Sequence, residues 1–173
     1  VFCEAFRDDP ISRFLFGAAR ADLDAGHTAL AADEVRCHRF SIARSGGSNS
    51  VGFWSHPSDL RQSIDPAEGR IADLFAAFAA AETQALGGRP AIHIYFLAAH
   101  PAERGLGGSL LRHILALADG QRLPVYLESP VHNEALYARY GFSVRVRDMV
   151  RGGDESVGFV AMVREPRAPE VDL

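Results

Sequence analysis

Apolar positions along the chain follow two rhythms, one near every third or fourth residue and one near every second, and their order predicts an α/β domain. Phe2, Ala5 and Phe6 share one helical face, which the Asp8-Asp9-Pro10 cluster breaks. Phe14, Leu15 and Phe16 form a second short apolar cluster. Phe40-Ser41-Ile42-Ala43 is strand-like, Ser45 through Ser50 reads as a hairpin loop, and Val51-Gly52-Phe53-Trp54 is the returning strand, ended by Pro57. Ile71, Leu74, Phe75 and Phe78 set a helix over 67–85 that Gly87-Gly88 closes. Residues 91–99 are the most apolar run and are expected at the sheet centre.

Pro101 stops that strand, and Arg104-Gly105-Leu106-Gly107-Gly108 turns into a helix that buries Leu110, Leu111, Ile114, Leu115 and Ala118 and ends at Gly120. Leu123 to Glu128 is the next strand. Strand, helix, strand in this order predicts a parallel pair joined by a crossover helix. A short helix follows from Asn133 to Tyr140, stopped by Gly141. Val144 and Val146 alternate with Arg145 and Arg147 as in a half-exposed strand, and residues 157–163 return after the Arg151 to Glu155 turn. Residues 164–173, rich in proline and acid, read as a disordered tail, leaving 1–163 as one domain. No internal repeat is visible.

The 173 residues suit one core, with 47% apolar and 23% charged positions. A net charge of -4 excludes the clustered basic face that nucleic-acid binding needs. All 18 basic residues are Arg, which a GC-rich genome explains more simply than function does. Cys3 and Cys37 make no disulfide framework, so a cytoplasmic setting is the default. No apolar run approaches the ~20 residues of a membrane helix, and no signal peptide is seen. His27, His38, His56, His113 and His132 lack metal-ligand spacing, His100 reads as a loop residue at the strand end, and no metal is expected.

Two segments carry chemistry. The first is the strand, Gly-rich turn and helix from Ile94 to Leu111. A helix N-terminus offers unpaired N–H groups and about half a positive charge, and glycines let an anion come close. The turn reads as a pyrophosphate cradle or as an ordinary tight turn. It is not a Walker A loop, since the chain has no Lys. A dinucleotide fingerprint fails at Leu110, though Glu128 lies at the ribose-binding distance. The second segment is Asn133-Glu134-Ala135-Leu136-Tyr137-Ala138-Arg139-Tyr140-Gly141-Phe142.

In this order, and separated by one strand, residues 94–111 and 133–142 resemble the two signature motifs of the GNAT superfamily of N-acetyltransferases. The branch resembled most is that of puromycin N-acetyltransferase, through Ala5 to Pro10, Leu123 to Ser129 and Asn133 to Phe142. The resemblance implies a three-layer α/β (α+β) fold: a twisted mixed sheet flanked by helices on both faces and splayed between its two central strands. The family's first strand would precede residue 1. The implied cofactor is acetyl-CoA (coenzyme A), with its pantetheine arm along Leu97 and Ala99, a β-bulge near Leu97 or Ala98, and its pyrophosphate on Arg104, Gly105, Leu106, Gly107, Gly108 and Ser109. The implied acceptor is a small-molecule amine, with pocket residues drawn from 10–35 and 55–90, and a homodimer is compatible with the family. The turn after Pro101 is shorter than the family's, which motivates the alternative of a catalytically silent acyl-CoA sensor.

A protonated amine, with a pKa near ~10.4, is inert until a base takes its proton, and the departing thiolate benefits from an acid. By its place in the motif, Tyr137 matches the family's acid, unless it is only a core aromatic. Asn133 contacts the cofactor, caps the short helix, or both. His93 stands where relatives carry a Glu base, and is otherwise a core histidine. By alternation it shares a face with Tyr95 and Leu97. Glu128, at the end of the neighbouring strand, serves as base or anchors a cationic acceptor. Trp54 lines the acceptor pocket or packs in the core.

Overall fold

The computed structural model describes residues 2–17, 19–37, 39–45, 48–59, 69–99 and 105–167. Helices α1 (Phe2–Ala5), α2 (Pro10–Phe16) and α3 (Arg20–Cys37) lead into strands β1 (Arg39–Ser45) and β2 (Ser48–Ser55). Then come α4 (Arg70–Leu86), β3 (Ile92–Ala99), α5 (Leu106–Gln121) and β4 (Val125–Pro130). A 3-10 turn over Val131–Asn133, α6 (Glu134–Ala138), β5 (Ser143–Gly152) and β6 (Glu155–Arg164) complete the order. The strands form one open mixed sheet in the order β1-β2-β3-β4-β6-β5. Among the described residues, only β3 and β4 are parallel neighbours, joined through α5 as the strand–helix–strand pattern requires.

Alternation along the central strands divides the core in two. Ile92, Ile94, Val125, Leu127 and Met162 face α5, whose Leu111, Ile114, Leu115 and Ala118 pack onto them. Tyr126, Phe159, Ala161 and Val163 face the other way, toward Leu74, Ala81 and Leu86 of α4 and Phe14 of α2. Phe78 meets Phe159 edge to face, with centroids 4.9 Å apart. Each fully buried Leu or Ile contributes on the order of 1.5–3 kcal/mol, so the sheet is clamped from both faces.

Local chemistry explains the helix ends. Asp8-Asp9-Pro10 ends α1 and also starts α2: Asp9 accepts the Ser12 N–H at 2.8 Å and Pro10 takes the first helical position. Gly87, with φ 59°, closes α4 in the left-handed conformation. α5 runs past Gly120 to Gln121, and Arg122 caps it at φ 56°. The α3 helix has no periodic stripe to announce it; among its described positions only Leu23 and His27, one turn apart, are buried. The β1–β2 pairing continues to Ser45↔Ser48, tighter than a six-residue loop. Arg164, expected in a loose tail, is the last residue of β6 and only 3% exposed. Its guanidinium grips Asp119 through two 2.7 Å bonds and donates to the Tyr140 carbonyl at 3.1 Å. Residues 168–173 lie outside the described residues. Among the described residues, no helix is long and apolar enough to cross a membrane.

Candidate active site

The β3–β4 pairing is short. It joins Ile92, His93 and Ile94 to Val125, Tyr126 and Leu127, and goes no further. Beyond Ile94, β3 stays paired to β2 through Ala99, and beyond Leu127, β4 stays paired to β6 through Pro130. The two strands therefore part at their C-terminal ends, and the β3 edge over 95–99 loses its β4 partner. A β-bulge sits where they part: β2 pairs Phe53 with Phe96 but Trp54 with Ile94, leaving Tyr95 as the extra residue.

That position corrects two expectations. The bulge lies two residues before Leu97, and it reverses the alternation. His93 and Tyr95 share one face, with rings stacked at 4.0 Å, but Leu97 turns to the α5 face, where it approaches Gly52 beside Leu110. Ala98 is fully buried against Phe53, away from the gap, while Leu97 and Ala99 line it.

The α5 N-terminus closes the gap from one side. Gly105, at φ 94°, precedes the helix, and among the described residues no side chain caps the first turn, so its leading amides suit an outside partner. Gly107 and Gly108 line the gap. A Cβ on Gly107 would come within 3.1 Å of the Ala99 Cβ, and one on Gly108 would collide with the Tyr140 hydroxyl. Leu106 and Ser109 lie in the same first turn without lining the gap, and Arg104 lies outside the described residues.

Tyr137 stands on α6 against this wall, in edge contact with Phe142 at 5.8 Å. Burial pushes its phenol up to about 12, opposed by a hydrogen bond with Ser129 at the parting end of β4. Asn133 precedes α6 and lines the gap, but its side chain makes no capping bond, so the capping role is set aside.

On the opposite face, Glu128 and His93 are brought together although 35 residues apart: His93 Nε2 lies 2.8 Å from Glu128 Oε2. The Glu128 side chain is only 6% exposed and that of His93 11%. His93 does not line the gap, whereas Glu128 does. Glu128 Oε1 is buried without a hydrogen-bond partner, as is the Tyr126 hydroxyl. Burial first, then the Glu128 charge, raises the Tyr126 phenol; the two groups are close, yet their geometry falls short of a hydrogen bond.

A cavity of about 720 Å³ runs through the parted strands. On the α5 side it touches Gly107, Gly108, Asn133, Tyr137 and Tyr140; on the α4 side it continues past Glu128 among Phe6, Phe75, Phe78 and Phe96. Sequence reasoning overlooked Ser129, Phe96 and Asp9. The Asp9 carboxylate is near enough to act electrostatically on both Tyr137 and His27. A signal existed for the phenylalanines: Ile71 and Phe75 extend the α4 apolar stripe beyond what the sheet covers, and stay half-buried. Trp54 does not line the cavity. It is buried over α5, donating to Ser41 Oγ at 3.2 Å.

These residues fit coenzyme A. The β3 edge over 97–99, which β4 does not reach, can hydrogen-bond an extended amide chain, the glycines leave room that a Cβ would fill, and the α5 amides suit a phosphate. Among the described residues, no group of three or more His, Cys, Asp or Glu could hold a metal.

No protein-family model and no curated protein matches the chain. Solved structures do. A polyamine N-acetyltransferase from Drosophila melanogaster superposes with a TM-score of 0.63 at 14% identity, over 95% of this chain and 90% of its own. A protein from Corynebacterium glutamicum, described as histone acetyltransferase HPA2 and related acetyltransferase, gives 0.57 at 22% identity, over 99% and 90%. A GCN5-related N-acetyltransferase from Rhodopseudomonas palustris gives 0.55 at 17%, over 95% and 84%. The chain thus has the fold of GNAT N-acetyltransferases.

Proposed function

We propose that this chain is an N-acetyltransferase that moves an acetyl group from acetyl-CoA to a small-molecule primary amine by direct attack. One observation supports this above the others: a buried carboxylate, Glu128, and a protonated phenol, Tyr137, line one cavity from opposite faces of a parted sheet. The amine-directed name of the Drosophila structure agrees with that acceptor chemistry.

When bound, acetyl-CoA supplies an acetyl thioester whose sulfur leaves as a thiol. Glu128 Oε1 takes one proton from the acceptor ammonium and so frees the nitrogen lone pair for attack on the acetyl carbon. His93 donates to Oε2 and fixes the carboxylate; it is a positioning residue here, since it does not touch the cavity. The second amine proton leaves nitrogen once the C–N bond has formed, and balances the thiol. With its pKa near 12, Tyr137 stays protonated at neutral pH and donates a hydrogen bond on the side where the sulfur's negative charge develops. Leu97, Ala99, Gly105, Gly107, Gly108 and Asn133 hold the donor.

The test is release of free thiol from acetyl-CoA in the presence of an amine panel, alongside CoA-dependent thermal stabilisation. We expect both, and Tyr137→Phe should lower kcat about 10²-fold with little change in CoA affinity. Stabilisation by CoA without thiol release from any amine would instead identify a silent sensor. Stabilisation by NAD(P) but not CoA would remove the reading altogether.

A further inference from the structure

The acceptor half of the cavity combines one unsatisfied anionic atom with a largely apolar wall. Phe6, Leu15, Ile71, Phe75, Phe78 and Phe96 line it. Phe6 and Phe96 meet edge to face at 5.7 Å, presenting a braced aromatic surface. Phe75 belongs to neither face of the sheet core, so its ring is held by no packing role there.

Among the described residues three other carboxylates reach the cavity, and each has a partner on one oxygen. Glu4 is bonded to Arg7, and Asp8 pairs with Arg13 at 2.6 Å. Asp9 Oδ1 accepts the Ser12 N–H at 2.8 Å. Glu128 differs from all of them in burial: its side chain is 6% exposed, His93 occupies Oε2, and Oε1 is shut from solvent without a hydrogen-bond partner among the described residues. A carboxylate oxygen accepts two bonds, so even a Tyr126 hydroxyl turned onto Oε1 leaves a place for an ammonium.

We infer that the acceptor is a monocationic primary amine with an aromatic or alkyl body, and that Phe75 helps select it; this rests on the acetyl-transfer reading above. The ammonium sits on Glu128, and the body replaces water along the phenylalanines. A polyamine would have to leave its second charge among rings, or on carboxylates that Arg7, Arg13 and the Ser12 N–H already hold. Cation–π attraction would return only part of the lost hydration.

Two measurements separate this inference from the reading it rests on. The first is calorimetric binding of 2-phenylethylamine, hexylamine, putrescine and spermidine to the CoA-loaded protein. The second is kcat and KM for the same amines from thiol release. We expect 2-phenylethylamine or hexylamine to bind at least tenfold tighter than putrescine, with kcat/KM following. Phe75→Ala should raise the KM for 2-phenylethylamine about fivefold with kcat nearly unchanged, and Phe75→Leu should recover most of the loss. Putrescine or spermidine binding as tightly as 2-phenylethylamine, or no amine binding at all, overturns the inference. Amine binding without thiol release from any amine overturns the acetyl-transfer reading and leaves the binding preference standing.

Discussion

On the α5 side of the sheet the cavity is walled by glycines and by described residues of one stretch of chain between Leu97 and Tyr140, whereas on the α4 side it is walled by bulky side chains of α2 and α4 together with Phe6 and Phe96. The α5 side, which the proposed function gives to the donor, is a backbone device: a parted strand edge, a helix start without a side-chain cap among the described residues and a hydroxyl on a short helix. Such a device needs a fixed local order of residues and tolerates little else. The α4 side, which the proposed function gives to the acceptor, is a surface assembled from segments far apart in sequence, and its chemistry can change one side chain at a time. Donor binding and acceptor choice should therefore respond to different substitutions.

The largest effect that tests this separation comes from the brace behind the donor side. Arg164 ties the end of β6 to Asp119 near the C-terminus of α5 and to the Tyr140 carbonyl. Arg164→Ala leaves the partly buried Asp119 carboxylate with only the Arg167 N–H and an unbonded Tyr140 carbonyl, and should destabilise the fold by about 2 kcal/mol, read by chemical denaturation. Those same guanidinium bonds hold the Asp119 carboxyl below its usual range. Its folded pKa being lowered, that stabilisation is present above the ordinary carboxylate value and is lost as pH falls through the lower one.

A smaller effect is expected at Gly107. Gly107→Val pushes methyl groups toward Ala99 and into the cavity, and should weaken CoA binding at least tenfold, about 1.4 kcal/mol. The KM for amine should barely move, and combination with Phe75→Ala should be additive within about 0.5 kcal/mol. Strong coupling between the two would show the halves to be one unit.

The smallest effects are titrations, and they fall at opposite ends of the pH scale. Burial lowers the His27 imidazole below its ordinary value, against the pull of Asp9 and Asp24. Its folded pKa lies below the unfolded one, so protons favour the unfolded chain as pH drops from about 6.5. Acid should therefore loosen α3 against α1 and α2, and His27→Phe should blunt that loss in thermal melts. For Tyr137 the folded pKa of about 12 lies above the ordinary value near 10, so its stabilisation is complete below about 10 and fades between there and 12. Tyr137→Phe should flatten that alkaline slope.

What could be read from sequence follows the same division. The α5 stripe and the Asn133-to-Phe142 motif are local, and their periodicity or order sufficed to place them in the structure. The parallel pair was legible because an intervening amphipathic helix leaves few topologies open. The α3 helix was not, since its few buried positions are no stripe; the hint was Gly26, which lets the Phe16 ring lie against the helix. The His93–Glu128 contact joins residues 35 apart and depends on strand register, which no local pattern encodes. Trp54 illustrates the reverse: its size invited a role in binding, yet its face is set by pairing with Ile94 ahead of the bulge.

The additional residue at Tyr95 also bears on how such a protein could be re-engineered. Upstream of it, odd-numbered β3 positions look toward α4; downstream, the even-numbered ones do. A library meant to alter amine preference would vary Phe96 and leave Leu97 and Ala99 alone, although all three are neighbours in the chain. Deleting Tyr95 would restore regular alternation and leave Phe96, Leu97 and Ala99 in the compartments they now occupy, removing the kink at which the strands part while keeping the side chains on either side of it.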